Sequence, residues 1–161
     1  MRKSIKYIAV ALLTLAVGSS CQELAGERFE QTQALCVSNH ELLLAAVPSE
    51  SGPYVEHIRI DSAQGWSATI LDVELVPDPA NPALSIPAVG EDGEWVVALD
   101  DEGKTFEPVW CHLQNSTGAA GMSYCHMEYE SNLTGMLRYA KFVVTGGGER
   151  KVINITQNIV K

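Results

Sequence analysis

From residue 34 onward the chain is cut into short pieces. Runs rich in Val, Ile, Thr and aromatic residues alternate with clusters of Gly, Pro, Asn and Asp. Such punctuation leaves no room for a long amphipathic helix and is the signature of strands joined by tight turns. The predicted strands are 35–37, 42–46, 55–61, 67–71, 94–98, 109–113, 123–130, 137–145 and 151–157. Several alternate with a period of two. Cys125, Met127 and Tyr129 share one face of their strand, while His126, Glu128 and Glu130 share the other. Ile58 and Ile60 oppose His57, Arg59 and Asp61, and Ile153 and Ile155 oppose Val152, Asn154 and Thr156. One buried and one wet face imply antiparallel sheets, most simply packed as a sandwich. Gly146-Gly147-Gly148 predicts a hairpin between the last two strands. The segment VPDPANPALSI holds Pro77, Pro79 and Pro82 and reads as a loop.

The first 21 residues, MRKSIKYIAVALLTLAVGSSC, set the address. Arg2, Lys3 and Lys6 precede an apolar run, Ile8 to Val17, that is too short to span a bilayer. Small residues Gly18, Ser19 and Ser20 then lead to Cys21. This order resembles a bacterial lipoprotein signal, which implies lipidation of Cys21; Gly18 departs from the usual Leu. An ordinary secretory signal is the alternative, since the same small residues suit its cleavage rule. Both readings export the protein. The expected organisation is a signal peptide at 1–20, a lipidated N-terminus and tether at 21–33, and one domain at 34–161. The expected location is the bacterial cell envelope, at the outer membrane or cell surface.

Without residues 1–20 the chain has 141 residues, with 8 basic and 20 acidic side chains and a net charge of −12. That length suits one domain. The charge repels nucleic acid and anionic membrane surfaces, so bilayer contact is expected only through the lipid. Lipidation of Cys21 leaves Cys36, Cys111 and Cys125, an odd number that allows one internal disulfide; without it, four cysteines allow two.

Catalytic signatures are absent: there is no Gly-x-Ser-x-Gly elbow, His-Glu-x-x-His helix or phosphate-cradling loop. A binding protein without a cofactor is therefore expected. The repeated Cys111-His112 and Cys125-His126 pairs suggest zinc, but neighbours on a strand point to opposite faces and cannot converge. The expectation is a Cys111–Cys125 cross-strand disulfide or two buried thiols, with Cys36 an alternative partner and no metal site. Glu91, Asp92, Glu94, Asp100, Asp101 and Glu102 read as a solvated acidic hairpin rather than a calcium site. Sugar binding needs exposed aromatic faces. Trp66, Trp110 and Tyr129 fall where a core needs them. Trp95, among acids, is the most plausible platform, followed by Tyr139, which points opposite to Ala140 and Phe142, and Tyr54, beside Gly52-Pro53.

The C-terminal third carries a more specific pattern. Trp110, Asn132, the strand Arg138-Tyr139-Ala140-Lys141-Phe142-Val143-Val144 and the ending Ile155-Thr156-Gln157 resemble the close of a BACON (Bacteroidetes-associated carbohydrate-binding, often N-terminal) domain. Leu35-Cys36-Val37-Ser38, the Ile58/Ile60 strand and Trp66 would match its opening, with residues 72–108 as an inserted loop and hairpin around Trp95 and Phe106. The resemblance implies an Ig-like antiparallel β-sandwich acting as a non-catalytic module, with carbohydrate or mucin glycans as partners. The alternative expectation is a structural or protein–protein interaction module of the envelope, contacting another protein through a sheet edge.

Overall fold

A computed structural model describes residues 34–46 and 54–160. The predicted signal peptide, Cys21 and the tether lie outside them. The fold is all-β, and no helix occurs among the described residues. Eleven strands form among the described residues: β1 (Leu35–Val37), β2 (Glu41–Leu44), β3 (Tyr54–Ser62), β4 (Trp66–Leu71), β5 (Leu75–Pro77), β6 (Ser85–Pro87), β7 (Cys111–Leu113), β8 (Thr117–Gly118), β9 (Gly121–Tyr129), β10 (Arg138–Gly146) and β11 (Glu149–Gln157).

Two sheets make a sandwich. One runs β1-β3-β9-β7 and the other β2-β11-β10-β4-β8, with β5 and β6 forming a separate ribbon. All strand pairs are antiparallel except β2 with β11, which is parallel. The chain thus switches sheets between β1 and β2. The predicted alternation places the core: Ile58 and Ile60 of β3, Cys125, Met127 and Tyr129 of β9, Ala140, Phe142 and Val144 of β10, and Ile153 and Ile155 of β11 are all buried in one cluster. Trp66 and Trp110 join it as expected, and the Trp66 indole N–H donates to Ser123 Oγ at 2.7 Å. Two polar side chains close one end. Buried Asn132 donates to the Met136 and Asn158 carbonyls at 2.7 and 2.9 Å, and buried Gln157 donates to the Glu130 carbonyl at 2.6 Å. These satisfied amides leave no unpaired polar cost.

At the other end β10 and β11 meet in a two-residue turn, Gly147-Gly148, both at positive φ. That backbone matches the twist of a hairpin and needs glycine or its few substitutes.

Residues 72–108 depart furthest from expectation. The 94–98 segment forms no continuous strand; Trp95 and Val97 make isolated bridges to Val89 and Val73. Tight turns interrupt it on both sides, and Asp92 and Asp100 carboxylates accept backbone N–H groups within them. The proline-rich segment, in turn, contributes to the β5–β6 ribbon, with Pro77 and Pro87 at strand ends where a missing N–H is tolerated.

Candidate functional site

The side chains of β10 that face away from the core are Tyr139, Lys141, Val143 and Thr145. On an uncovered sheet they would be wet. Yet Tyr139 is only 8% exposed and Lys141 4%. The inserted segment covers them. Trp95 packs its ring against Tyr139 in a T-shaped contact, centroids 5.6 Å apart, and its carbonyl accepts from Lys141 Nζ at 2.8 Å. Glu94 reaches the same ammonium at 2.7 Å and also takes both guanidinium nitrogens of Arg150, at 2.8 and 3.0 Å. Those two cations, Arg150 foremost, hold the Glu94 carboxyl down at about 2, and the Glu94 carboxylate raises Arg150 in return. Glu94 is therefore ionised near neutral pH and unsuited to donating a proton.

This docking leaves an open groove of about 650 Å³. Thr69, Leu71 and Val143 form its floor, the Gly90–Val97 stretch one wall, and Trp95, Glu94, Lys141 and Arg150 line it. Its size lies in the range of small-ligand sites, generally about 300–1,000 Å³. It offers one half-buried indole beside polar groups already fixed by ion pairs. A second concavity, about 550 Å³ beside the β10–β11 turn, has Trp66 as its only aromatic, and that ring belongs to the core.

Of the three aromatic candidates, only Trp95 lines the groove. Tyr139 does face away from Ala140 and Phe142, but it lies beneath the insertion and supports Trp95 instead of offering a free face. Burial pushes its phenol upward, with Asp78 adding to the shift. Tyr54 packs on the margin of the core against Tyr129, centroids 5.7 Å apart, away from the groove. Within the acidic cluster, Glu94 is the exception to solvation because it turns onto Lys141 and Arg150. Sequence reasoning missed those two cations. The outward parity of Lys141 was legible, whereas its partner depends on where the insertion docks.

The Cys111–Cys125 disulfide does not form; both are free, buried thiols. The register explains it: on β9, Cys111 faces Tyr129 and Cys125 faces Ile58 on its other side, so the cysteines are four residues out of step. Cys125 instead directs its thiol to the Asn115 carbonyl at 3.1 Å. Burial raises both thiols, Cys125 to about 12. Cys36 is disulfide-bonded.

On the outer face of the β1-β3-β9-β7 sheet, His126 meets His57. His57 and His126 are cross-strand partners with Nδ1 atoms 2.8 Å apart. His112 lies over Glu128 at 3.8 Å. Among the described residues no three His, Cys, Asp or Glu side chains gather as a metal-holding group. His57 was missed because pairing it with His126 requires the β3–β9 register.

No family model matches the chain, and no curated protein does. Among solved structures, it is similar to a Bacteroides ovatus GH5 xyloglucanase in complex with a XXXG heptasaccharide, at 18% identity and a TM-score of 0.48. The match covers 79% of this chain but spans only 19% of that protein's.

Proposed function

We propose that this chain is a non-catalytic surface lipoprotein module that binds carbohydrate or mucin glycans in the Trp95 groove, on a BACON-like sandwich. The observation that carries the reading is the indole itself. Tyr139 supports it edge-on, and buried Lys141 ties down its backbone carbonyl. A fixed aromatic beside an open groove meets the main requirement of sugar stacking, with little rotamer entropy left to lose. Ion-paired Glu94 and Arg150, and Thr69 on the floor, supply hydrogen-bonding groups that orient a ring. Anchoring through Cys21 would present the module at the envelope surface.

The test is a glycan array and mucin pull-down with purified protein, wild type beside Trp95→Ala, with melting curves for both. Binding that disappears in a folded variant supports the reading and its site. Binding that survives places the sugar elsewhere. Failure of the folded wild type to bind any glycan overturns it.

One observation favours the alternative, a protein–protein module of the envelope. Leu133, Met136 and Val160 are exposed around the end closed by Asn132. Leu133→Ser/Met136→Ser would then abolish capture of an envelope partner while leaving the fold intact.

A further inference from the structure

The proposed glycan groove uses one outer face of the sandwich; the opposite outer face carries the His57–His126 pair. The two imidazoles stand in a T-shaped arrangement, centroids 4.7 Å apart, and one Nδ1–H donates to the other Nδ1 at 2.8 Å. They are positioned by backbone, not by chance contact of flexible chains. β3 and β9 pair over nine residues, with His57 opposite His126. Around His126 the backbone is pinned on its free edge: its N–H donates to Asn115 Oδ1 at 2.7 Å, and its carbonyl accepts from Gln114 N at 2.8 Å.

We propose that His57 and His126 form a cis bis-imidazole site for a divalent transition metal of tetragonal preference, Cu²⁺ or Ni²⁺. The spacing argues for this class. Imidazole nitrogens bind such ions at about 2.0–2.1 Å. Two nitrogens 2.8 Å apart then subtend roughly 85–90° at the metal, which is the cis angle of square-planar or octahedral coordination. A tetrahedral Zn²⁺ site needs about 3.3–3.4 Å between them, so the strands or rings would have to spread. The ion takes the place of the shared hydrogen. The exposed His57 ring and the half-buried His126 ring turn so that each Nδ1 lone pair meets the ion, and the proton of the former donor moves to its Nε2. Water completes the coordination, because Glu128, the nearest carboxylate along the strand on this face, is occupied by Gln114 Nε2 at 2.8 Å. The site thus remains open to an exchangeable ligand.

The decisive experiment is a calorimetric titration of purified protein with Cu²⁺, for wild type, His57→Ala, His126→Ala and His112→Ala. His112 is an exposed histidine on the same face and serves as the control. We expect one site in wild type, retained in His112→Ala and weakened roughly tenfold or more in each of the other two. Wild-type binding in His57→Ala and His126→Ala overturns the proposal, as does an equal loss in His112→Ala. Electron paramagnetic resonance of the wild-type Cu²⁺ complex gives a check independent of any variant's folding. Two equatorial imidazole nitrogens are expected, and one or none refutes the pair. These outcomes do not depend on glycan binding, which sits on the other sheet.

Discussion

Lys141 lies on the outward face of a central strand with its side chain 5% exposed, and Glu94 supplies its counter-charge at 2.7 Å. Losing one partner of such a pair leaves a buried charge uncompensated, which generally costs about 3–5 kcal/mol. Glu94 is itself partly solvated, so Glu94→Gln should cost roughly 2–3 kcal/mol, read as a lower urea midpoint with unchanged slope. The pH dependence follows from the sign of the shift. Glu94 titrates lower folded than its ordinary 4.5, down to about 2. Its contribution is full above the unfolded value and fades as pH falls through the folded one. Wild type should therefore lose more stability than Glu94→Gln between pH 5 and pH 2, a difference that acid titration of the two midpoints would reveal. The two core thiols make the opposite kind of statement. Burial raises Cys111 and Cys125 well above neutrality, so neither offers a thiolate. A thiol reagent at mildly alkaline pH should label neither in folded protein and both after denaturation.

At the scale of the element, the β10–β11 hairpin separates two costs that glycine avoids. Gly148, at φ +80°, has nothing near an added Cβ, so Gly148→Ala pays only for the left-handed backbone, about 1–2 kcal/mol. Gly147, at φ +58°, would also place a Cβ 2.8 Å from that of Ala34. Gly147→Ala should thus be the more destabilising of the two in urea denaturation, and equal losses would argue against the packing of β1's entry on this turn. The same hairpin shows what a sequence can reveal. Alternation in β3, β9 and β11 was legible because each strand has one dry face, and a one-residue slip would expose every core side chain. The three glycines marked the turn. What no local pattern carries is which outward side chains meet. The docking of residues 72–108 onto β10 buries Tyr139 and recruits Lys141 and Arg150, while the β3–β9 register couples His57 to His126 and separates Cys111 from Cys125. These are long-range pairings, set by the fold. Trp95 stood out early because it is an indole in a segment otherwise full of acids and turns.

The whole molecule presents two outer sheet faces with different chemistry and a strongly negative field. The full chain carries −9 and the part after residue 20 carries −12. The groove does not escape that field. Lys141 and Arg150 are its cations, yet Glu94 neutralises much of both, and Glu91 and Asp92 line the same groove. A sialylated or sulfated glycan would approach like charge and find no free cation among these residues to receive its anion. Neutral glycans should therefore bind better than acidic ones of the same backbone. Electrostatic repulsion is screened over about 10 Å at 0.1 M salt and over about 3 Å at 1 M. Raising salt should leave neutral-glycan binding nearly constant and narrow the gap to the acidic partner. Matched neutral and sialylated glycans, arrayed at low and high ionic strength, would measure both effects. A preference for the sialylated form that weakens with salt would mean that Arg150 leaves Glu94 to bind the ligand. The ion pair would then act as a latch released by the sugar rather than as the rigid support of Trp95.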